Sequence, residues 1–390
     1  MKTFAELWAE IAPSGGDRQS GYLRYALSEP ELILRDWLRN QAARRDLDVN
    51  DDGNVNLFAW WGTTWGHGTV VTGSHFDSVP HGGGYDGPLG IVSAFLAVDR
   101  LRERGVKPTR PIAVAAFVEE EGGRFGVPCL GSRLLTGAIA PAQAAALCDR
   151  DGVTFGEALG ATPAGALPDL LARVSAVVEL HIEQGQALQV PVGVASAIWP
   201  HGRWRMTFTG TGDHAGTTRM TDRQDPMLTF ADTVLAANEE ARRLDAHATI
   251  ARVDVTPNAT NAIPSLVRGW LDARAADTET LELLVEAVVK RAADRAGRDG
   301  TQVAVEPESV SPEVAFDTTL AERLSQLLGG APILPTRAGH DAGVLSAHVP
   351  TAMLFVRNPT GISHSPAEYA SDEDCIAGVE ALADVLQALS

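Results

Sequence analysis

Cysteine is scarce in this chain, and its few cysteines are not spaced as a disulfide framework or a metal motif would require. The 390 residues include three, Cys129, Cys148 and Cys375, an odd number with no CxxC pair. This usage is typical of a reduced, cytoplasmic protein. We expect the three thiols to pack as small apolar groups and to have no role as metal ligands.

Long apolar segments and an excess of positive charge are also missing. No apolar run approaches the ~20 residues that span a bilayer, and the N-terminus (MKTFAE) has no apolar signal core. The chain has 50 Asp and Glu residues against 32 Lys and Arg, a formal net charge of −18. Phosphate backbones and anionic lipids repel such a chain, so neither a nucleic-acid nor a membrane partner is expected.

The first half of the chain, by contrast, shows a regular alternation of strand-like and helix-like stretches. Apolar runs at 70–72, 112–118 and 176–180 predict buried strands. Amphipathic or apolar stretches at 32–43 and 88–104 predict helices between them. The β-α-β order predicts an α/β fold with a mainly parallel sheet and helices on both faces.

The pattern changes after Gly193 and predicts a compact α+β module. Its expected elements follow the order strand, helix, strand, strand, helix, strand. They are placed at 204–209, 225–244, 249–255, 266–273, 278–296 and near 303–305.

The module interrupts a larger domain, because the first pattern returns after it. A strand is predicted at 352–355 and a last helix at 372–389. With 45% hydrophobic residues, the chain is long enough for two domains that each bury a core. We therefore divide it into 1–196 and 310–390 for the larger domain and 197–309 for the inserted one.

Five polar motifs carry the candidate chemistry. Two of them directly follow predicted strands, where open α/β sheets bind their ligands. The first is Gly73-Ser-His75-Phe-Asp77 with Asp86 nearby, and the second is Glu119-Glu120-Glu121. The remaining three are centred on His181, His214 and His364. Imidazoles and carboxylates in this number predict a two-metal hydrolase.

The spacing of His75 and Asp77 predicts a supporting contact. Two residues apart on a strand, the side chains face the same way. The Asp77 carboxylate is therefore expected to accept a hydrogen bond from the far ring nitrogen of His75. Such a bond fixes the tautomer of a metal-bound histidine.

A glycine run offers a competing interpretation. The segment from Gly82 to Gly87 satisfies GxGxxG between a strand and a helix, which is the context of a dinucleotide-binding site. However, Asp86 lies inside the loop and would repel a pyrophosphate, and no ribose-binding acid follows at a second strand end. The glycines are better explained as allowing the backbone to bend so that Asp86 reaches the metals.

The order and wording of the five motifs resemble the M20 metallopeptidase superfamily, and within it the hydantoinase/carbamoylase branch. The resemblance runs from about Gly15 to the C-terminus. It implies a zinc-exopeptidase-like catalytic domain with an inserted lid and dimerisation domain. It also implies hydrolysis of ureido acids by an enzyme with two divalent ions, Zn, Mn, Co or Ni.

The resemblance also implies a role for each residue of the metal site. Glu120 would be the general base, with Glu119 only supporting it. Peptidase relatives commonly have an acid at the position of His181, so this histidine favours the ureido-acid branch. The implied ligands are Asp86 as a bridge, Glu121 and His364 on one ion, and His75 and His181 on the other.

Substrate contacts are implied in the same way. His214 would reach the active site of a partner subunit and stabilise the oxyanion, which requires a homodimer through the inserted domain. Asn261 and Arg274 would hold the α-carboxylate of the substrate, since a guanidinium pairs well with a carboxylate. Gly361 would complete the substrate pocket.

Two positions depart from the family pattern, and they bear on the substrate. His201 stands where the family usually has Gln, and Arg219 where it usually has Pro. The expected substrate is an N-carbamoyl-L-amino acid. The alternatives are allantoate, another ureido acid (a β-ureidopropionase-like enzyme), or an M20 dipeptidase or aminoacylase substrate. A non-catalytic metal-binding scaffold is disfavoured, because a scaffold needs no base at Glu120.

Overall fold

The chain folds into two compact units, which the computed structural model describes over residues 2–390. The first unit comprises the residues up to Ile198 together with Ala315–Ser390. The second comprises Trp199–Val314. The second unit is therefore an insertion within the first.

The N-terminal part of the first unit alternates helices and strands. In α1 the helix begins with a capping box, in which Thr3 and Glu6 each accept the backbone N–H of the other. Pro88 begins α3, where its missing N–H is not needed. The elements are α1 (Phe4–Ile11), β1 (Gly16–Asp17), β2 (Gly21–Tyr22), α2 (Glu29–Ala43), β3 (Asp48–Asp51), β4 (Leu57–Trp61), β5 (Thr69–His75), α3 (Pro88–Glu103), β6 (Ile112–Phe117), α4 (Leu130–Thr136), α5 (Pro141–Ala145), α6 (Phe155–Leu159), α7 (Pro168–Leu171), β7 (Val174–Ile182) and β8 (Val192–Ile198).

The inserted unit and the C-terminal part of the chain supply the remaining elements. The insertion contains β9 (His201–Thr209), β10 (Asp213–His214), α8 (Pro226–Arg243), β11 (His247–Thr256), β12 (Ala262–Ile263), β13 (Leu266–Arg274), α9 (Thr278–Asp299) and β14 (Gln302–Ser311), with a 3₁₀ turn at Met220–Asp222. The chain then continues with β15 (Val314–Ala315), α10 (Thr318–Leu327), β16 (Ile333–Thr336), α11 (Asp341–Leu345), β17 (Thr351–Val356) and α12 (Asp372–Leu389).

A nine-stranded sheet forms the centre of the first unit. Its order is β15-β8-β17-β7-β5-β6-β4-β3, with β16 beside β8. The four central strands, β17, β7, β5 and β6, run parallel, whereas β3, β4 and the β17–β8 pair are antiparallel. This confirms the predicted α/β class with a mainly parallel sheet.

Helices cover both faces of this sheet, as the alternation along β6 demonstrates. Ile112 and Val114 belong to a core cluster with residues of α1, α2, α3 and α12. Ala113 and Ala115 belong to a second cluster with residues of α4, α7 and α11. Successive side chains of a strand point to opposite faces, so each face buries its own apolar layer.

The second unit has a four-stranded antiparallel sheet in the order β11-β13-β9-β14. Its core joins Met206 and Phe208 of β9 and Val267 of β13 to Ala237 of α8 and Leu284 of α9. The two helices therefore bury one face of the sheet. A separate pair, β10 and β12, is antiparallel.

The last strand of the second unit is longer than the sequence pattern predicted. We expected it to end near Val305, but β14 continues to Ser311. Pro307 lies within it, next to a shift in register before Ser309. Because β14 is an edge strand, a proline with no N–H is tolerated there at an irregularity. The inserted unit therefore extends beyond the predicted boundary at residue 309.

One expectation for the cysteines is wrong. Cys129 and Cys375 are buried as predicted, but Cys148 is exposed. It lies in the turn region after α5, where it forms an isolated bridge with Thr154. Within residues 2–390, no helix combines the length and apolar character that crossing a bilayer demands.

Candidate active site

Two histidines lie at the carboxyl ends of neighbouring strands in the large sheet. His75 is the last residue of β5, and His181 is the penultimate residue of β7. These strands pair in parallel, so both imidazoles reach the same edge of the sheet. The ring centroids are 5.8 Å apart, and both side chains are buried.

Backbone carbonyls set the tautomer of both rings. Nδ1 of His75 lies 3.0 Å from the carbonyl oxygen of Asp77, and Nδ1 of His181 lies 2.8 Å from that of Ile182. Because a carbonyl oxygen only accepts, Nδ1 carries the proton in each ring. With Nδ1 bonded to the backbone, Nε2 is the nitrogen of each ring that is left for a metal ion, and both Nε2 atoms are buried without a hydrogen-bond partner. This arrangement is typical of metal-binding histidines.

Asp86 lies between this histidine pair and a second group of side chains. Its Oδ1 is 3.1 Å from Nε2 of His181 and 3.6 Å from Nε2 of His75. Its Oδ2 is 3.4 Å from Nε2 of His364. The same Nε2 is 3.4 Å from Oε2 of Glu121. One carboxylate thus stands between two imidazoles on one side and an imidazole–carboxylate pair on the other.

The donor atoms fit a pair of divalent transition ions. In each group the candidate ligand atoms lie within 4.8 Å of one another, and Asp86 belongs to both groups. Oε1 of Glu121 is buried without a hydrogen-bond partner, like the two histidine Nε2 atoms. Buried polar atoms are normally paired, and mixed imidazole and carboxylate ligands suit such ions. The structure thus brings the five predicted ligands together.

Burial affects the two carboxylates of the cluster differently. Burial alone raises the pKa of Asp86, but the adjacent His181 and His75 outweigh it and hold that pKa well below its usual range. Burial raises the pKa of Glu121 well above its usual range, and the charge of Asp86 adds to the effect. Cations between Asp86 and Glu121 would relieve this repulsion.

The predicted contact between Asp77 and His75 takes a different form. We expected the Asp77 carboxylate to bond the ring, but its Oδ1 is 3.8 Å from Nδ1, and the backbone carbonyl accepts instead. The strand ends at His75, so the two-residue periodicity no longer applies at Asp77. Its carboxylate accepts the backbone N–H groups of Glu120 and Glu121, at 3.1 and 3.0 Å. Asp77 therefore supports the acidic loop.

Glu120 lies beside the histidine pair. Its Oε2 is 3.6 Å from Nε2 of His75. Its Oε1 is 3.8 Å from Sγ of Cys129 and 3.9 Å from Nδ1 of His340. Burial raises the pKa of Glu120 well above its usual range, although His75 opposes the shift and Glu121 reinforces it. A carboxyl group with a raised pKa is suited to proton transfer near neutral pH.

Glu119 has a different environment from the two glutamates that follow it. Its Oε1 accepts the backbone N–H groups of Arg124, at 2.9 Å, and of Phe125. Burial raises the pKa of Glu119 to about 8. Its contacts are with the loop that follows the triplet, which is consistent with a supporting role.

Sequence reasoning missed His340, which lies directly before α11. Its ring centroid is 4.5 Å from that of His181. Burial lowers the pKa of His340 well below its usual range, and His181 acts in the same direction, so the imidazole is neutral. Glu179 is also beside His181. Its carboxylate accepts hydrogen bonds from Oγ of Ser74 at 2.8 Å and from the N–H of Ala342 at 3.1 Å. The only signal was a histidine between glycine and aspartate.

Two further contacts to Asp86 were also missed. Nε2 of Gln184 donates to Oδ2 of Asp86 at 2.9 Å. Oε1 of Glu368 accepts the backbone N–H groups of Tyr85 and Asp86, at 2.9 and 3.0 Å. Gln184 follows His181 by three positions, which was the available signal for it. Glu368 is distant from Asp86 in sequence, and no local pattern pointed to it.

His214 and Asn261 lie close together in the second unit. His214 pairs with Ala262 across the β10–β12 ladder. The N–H of Ala215 donates to the backbone carbonyl of Asn261 at 3.0 Å. Both His214 and Asn261 are exposed, and Nδ1 of the histidine accepts the N–H of Gly216 at 3.0 Å. Their predicted roles stay predictions.

His201 and Arg274 are directly opposite each other in the β9–β13 ladder. Nδ1 of His201 is 2.9 Å from the carbonyl oxygen of Trp199. Nε of Arg274 donates to Oδ1 of Asp272 at 3.0 Å. The guanidinium is therefore oriented by a neighbouring carboxylate on the same strand.

Gly361 belongs to the first unit and precedes His364 in the same loop. Its φ is +67°, and a Cβ there would lie 3.1 Å from Cβ of Gln186. The side chain of Asn358 accepts its N–H at 3.1 Å. Gly361 is therefore held in a turn three residues before His364.

Comparison with known proteins identifies the class of protein. The sequence profile of peptidase family M20/M25/M40 matches residues 71–388. The match covers most of the chain, so the protein belongs to this family. The resemblance inferred from the motifs is thereby confirmed.

Similar proteins narrow the group within the family. N-carbamoyl-L-amino acid amidohydrolase of Geobacillus stearothermophilus is 35% identical, over 96% of this chain and 94% of its own. Allantoate amidohydrolase of Escherichia coli (strain K12) is 31% identical, over 97% and 96%. The crystal structure of a hydantoinase/carbamoylase family amidase from Burkholderia vietnamiensis aligns with a TM-score of 0.89 at 29% identity, over 99% and 96%.

These similarities place the chain in the carbamoylase and allantoate amidohydrolase group of hydrolases. Enzymes of this group hydrolyse non-peptide C–N amide bonds, as predicted. The two candidate ligand groups that share Asp86 could each hold a metal ion.

Proposed function

We propose that this enzyme hydrolyses the ureido C–N bond of N-carbamoyl-L-amino acids. The observation that carries the proposal is the position of Asp86, whose two oxygens contact the two ligand groups, with the buried Glu120 beside one of them. This is the arrangement of a binuclear hydrolase with its own base. The 35% identity with the Geobacillus carbamoylase supports this choice of substrate class.

Glu120 is the proposed general base and acid. Its carboxylate takes a proton from the attacking water and returns it to the leaving nitrogen of the amino acid. The products are the amino acid and carbamic acid, which decomposes to CO₂ and ammonia. When bound, the two metal ions (Zn, Mn, Co or Ni) supply Lewis acidity for this reaction. Contacts of Oε1 with Cys129 and His340 leave Oε2 facing the ligand cluster.

The proposed carboxylate site uses Arg274 and Asn261. Asp272 holds Nε of Arg274, so a planar guanidinium is oriented before the substrate binds. Guanidinium groups bind carboxylates through paired N–H donors. His201 is directly opposite Arg274 in the ladder, and Gly361 is proposed for the part of the pocket near His364.

We also propose a homodimer through the inserted unit, with His214 acting in the site of the partner. The exposure of His214 on β10 supports this role.

Allantoate is the second candidate substrate, because allantoate amidohydrolase of Escherichia coli matches almost the whole chain. The deciding experiment compares kcat/KM of metal-loaded enzyme on N-carbamoyl-L-amino acids, their D-enantiomers, allantoate and dipeptides. We expect the N-carbamoyl-L-amino acids to give the highest value. A higher value for allantoate would replace the proposed substrate, and a higher value for dipeptides would reject ureido acids altogether.

A further inference from the structure

A buried carboxylate from the loop that carries His364 contacts the loop that carries Asp86. The side chain of Glu368 is only 5% exposed, although it belongs to a polar segment. Its Oε1 accepts the backbone N–H groups of Tyr85 and Asp86, at 2.9 and 3.0 Å. Bonds from backbone N–H groups to a carboxylate are stronger than bonds between neutral groups. One side chain therefore joins the two loops that supply ligands to both metal sites.

The glycine run before Asp86 is explained by the same contact. A Cβ built on Gly83 would lie 2.2 Å from the carboxylate carbon of Glu368. Any side chain at this position would therefore displace the carboxylate from the two amides. The close approach of another chain segment is a physical reason for glycine here, and it requires no phosphate ligand.

The geometry also determines how His364 and Glu368 are held together. The N–H of Glu368 donates to the carbonyl of Ser365 at 3.0 Å, which closes a turn directly after His364. Nε2 of His364 is 3.4 Å from Oδ2 of Asp86. The two loops thus contact each other at two places, through His364 at the proposed metal site and through Glu368 at the backbone of Asp86.

We propose that Glu368 is a positioning residue, which holds the loops of Asp86 and His364 against each other and thereby sets the affinity for both metal ions. The inference rests on the proposed metal pair and not on the identity of the ureido acid. Asp86 is common to both ligand groups, so a displaced Asp86 weakens both sites. Supporting residues of this kind are worth about 10–100-fold in metal affinity.

The test is a calorimetric titration, in which Mn²⁺ is added to the full-length, chelator-treated protein. Glu368→Ala removes the acceptor, and we expect both ions to bind about 10–100-fold more weakly. Glu368→Gln keeps an oxygen that accepts both N–H groups, so we expect near wild-type affinity. Gly83→Ala keeps the Glu368 side chain but forces its carboxylate away, and we expect weakened binding of both ions.

Asp52 offers a matched control. It is a buried carboxylate that accepts two backbone N–H groups, those of Asn54 at 2.8 Å and Asn56 at 3.1 Å, and it belongs to neither ligand group. Asp52→Ala should lower the melting temperature and leave Mn²⁺ binding unchanged. If Asp52→Ala weakened Mn²⁺ binding as much as Glu368→Ala, the effect would be a general loss of stability and the proposal would be wrong.

Three other results overturn the inference. Wild-type Mn²⁺ affinity in Glu368→Ala or in Gly83→Ala would remove the positioning role. Equal losses in Glu368→Gln and Glu368→Ala would indicate that the charge of the carboxylate acts on the ions directly. None of these measurements requires turnover, so an enzyme that ignores every ureido acid would reject the proposed substrate without affecting this test.

Discussion

The candidate metal-ligand cluster of the first unit and the proposed substrate residues of the second unit are built in different ways. His75 and His181 lie on adjacent parallel strands, are buried, and have Nδ1 bonded to backbone carbonyls. His214 is an exposed residue of a two-stranded ladder of four residues, and the exposed Asn261 directly precedes the second strand of that ladder. The first group is oriented before any ligand binds. In the second, Nδ1 of His214 accepts the N–H of Gly216, two residues away.

The difference teaches which part of the chemistry each unit supplies. A buried, pre-oriented cluster holds its geometry without substrate, which is what metal binding and general-base catalysis require. Exposed residues on a short ladder are free to contact another surface or a ligand. We therefore expect changes in the first unit to affect catalysis itself, and changes in the second to affect completion of the site and substrate recognition.

Removal of the metals should have the largest effect. Because five ligands converge on two sites around Asp86, chelation should abolish turnover, and Zn²⁺, Mn²⁺, Co²⁺ or Ni²⁺ should restore it. The measurement is activity before and after dialysis against a chelator, with metal content determined by mass spectrometry. Full activity in protein without any transition metal would contradict the account.

Glu120→Gln should have the next largest effect. The amide keeps the shape of the side chain but accepts no proton, so kcat should fall by about 10²–10⁴-fold. Both metals should remain bound, since Glu120 is in neither ligand group. The matched variant is Glu119→Gln, whose side chain bonds the following loop, and it should retain much higher turnover. The opposite ranking would reject the assignment of the base.

His214→Ala tests the second unit at an exposed residue. Loss of an oxyanion donor should lower kcat by about 10²–10³-fold. If the histidine acts in the partner's site, mixing the inactive His214→Ala and Glu120→Gln proteins should restore activity, because one site of each mixed dimer is complete. With random exchange the recovery should be about one quarter of the wild-type rate.

The outcome of mixing decides where His214 acts. Mixed dimers are first isolated with two affinity tags, so that exchange is established independently of activity. Dimers that contain both variants and remain inactive would place His214 in the site of its own subunit.

Arg274→Ala should give the smallest of the four effects. Hydrogen bonds to charged groups contribute about 1.5–3 kcal/mol, or roughly 10–100-fold in KM. The Arg274 side chain is 32% exposed, which favours the lower part of that interval. The control is Arg268→Ala, an exposed arginine on the same strand. KM for substrates with a free α-carboxylate should rise only in Arg274→Ala, and equal changes in both variants would remove Arg274 from the pocket.

Sequence reasoning succeeded where the chemistry follows a strand directly. His75 and His181 come at the ends of apolar runs, and the last helix, Asp372–Leu389, begins and ends where its pattern predicts. It failed for Asp77, because the strand ends two residues earlier than the periodicity assumed. It also missed Glu368, whose partner Asp86 is brought to it only by the tertiary fold.

The second unit was harder to predict from the sequence, for a related reason. The order of its strands and helices was predictable, since period and composition change after Gly193. The extension of β14 was not, because the tolerance of Pro307 depends on an edge position that only sheet order reveals. The roles of its residues depend on contacts that no local pattern encodes.

The most direct test of the central claim is anomalous diffraction from crystals of the zinc-loaded enzyme. The account predicts two zinc peaks about 3.5–4 Å apart. One peak should lie against His75 and His181 and the other against Glu121 and His364, with the Asp86 carboxylate between them. A single peak, or two peaks that Asp86 does not bridge, would contradict it.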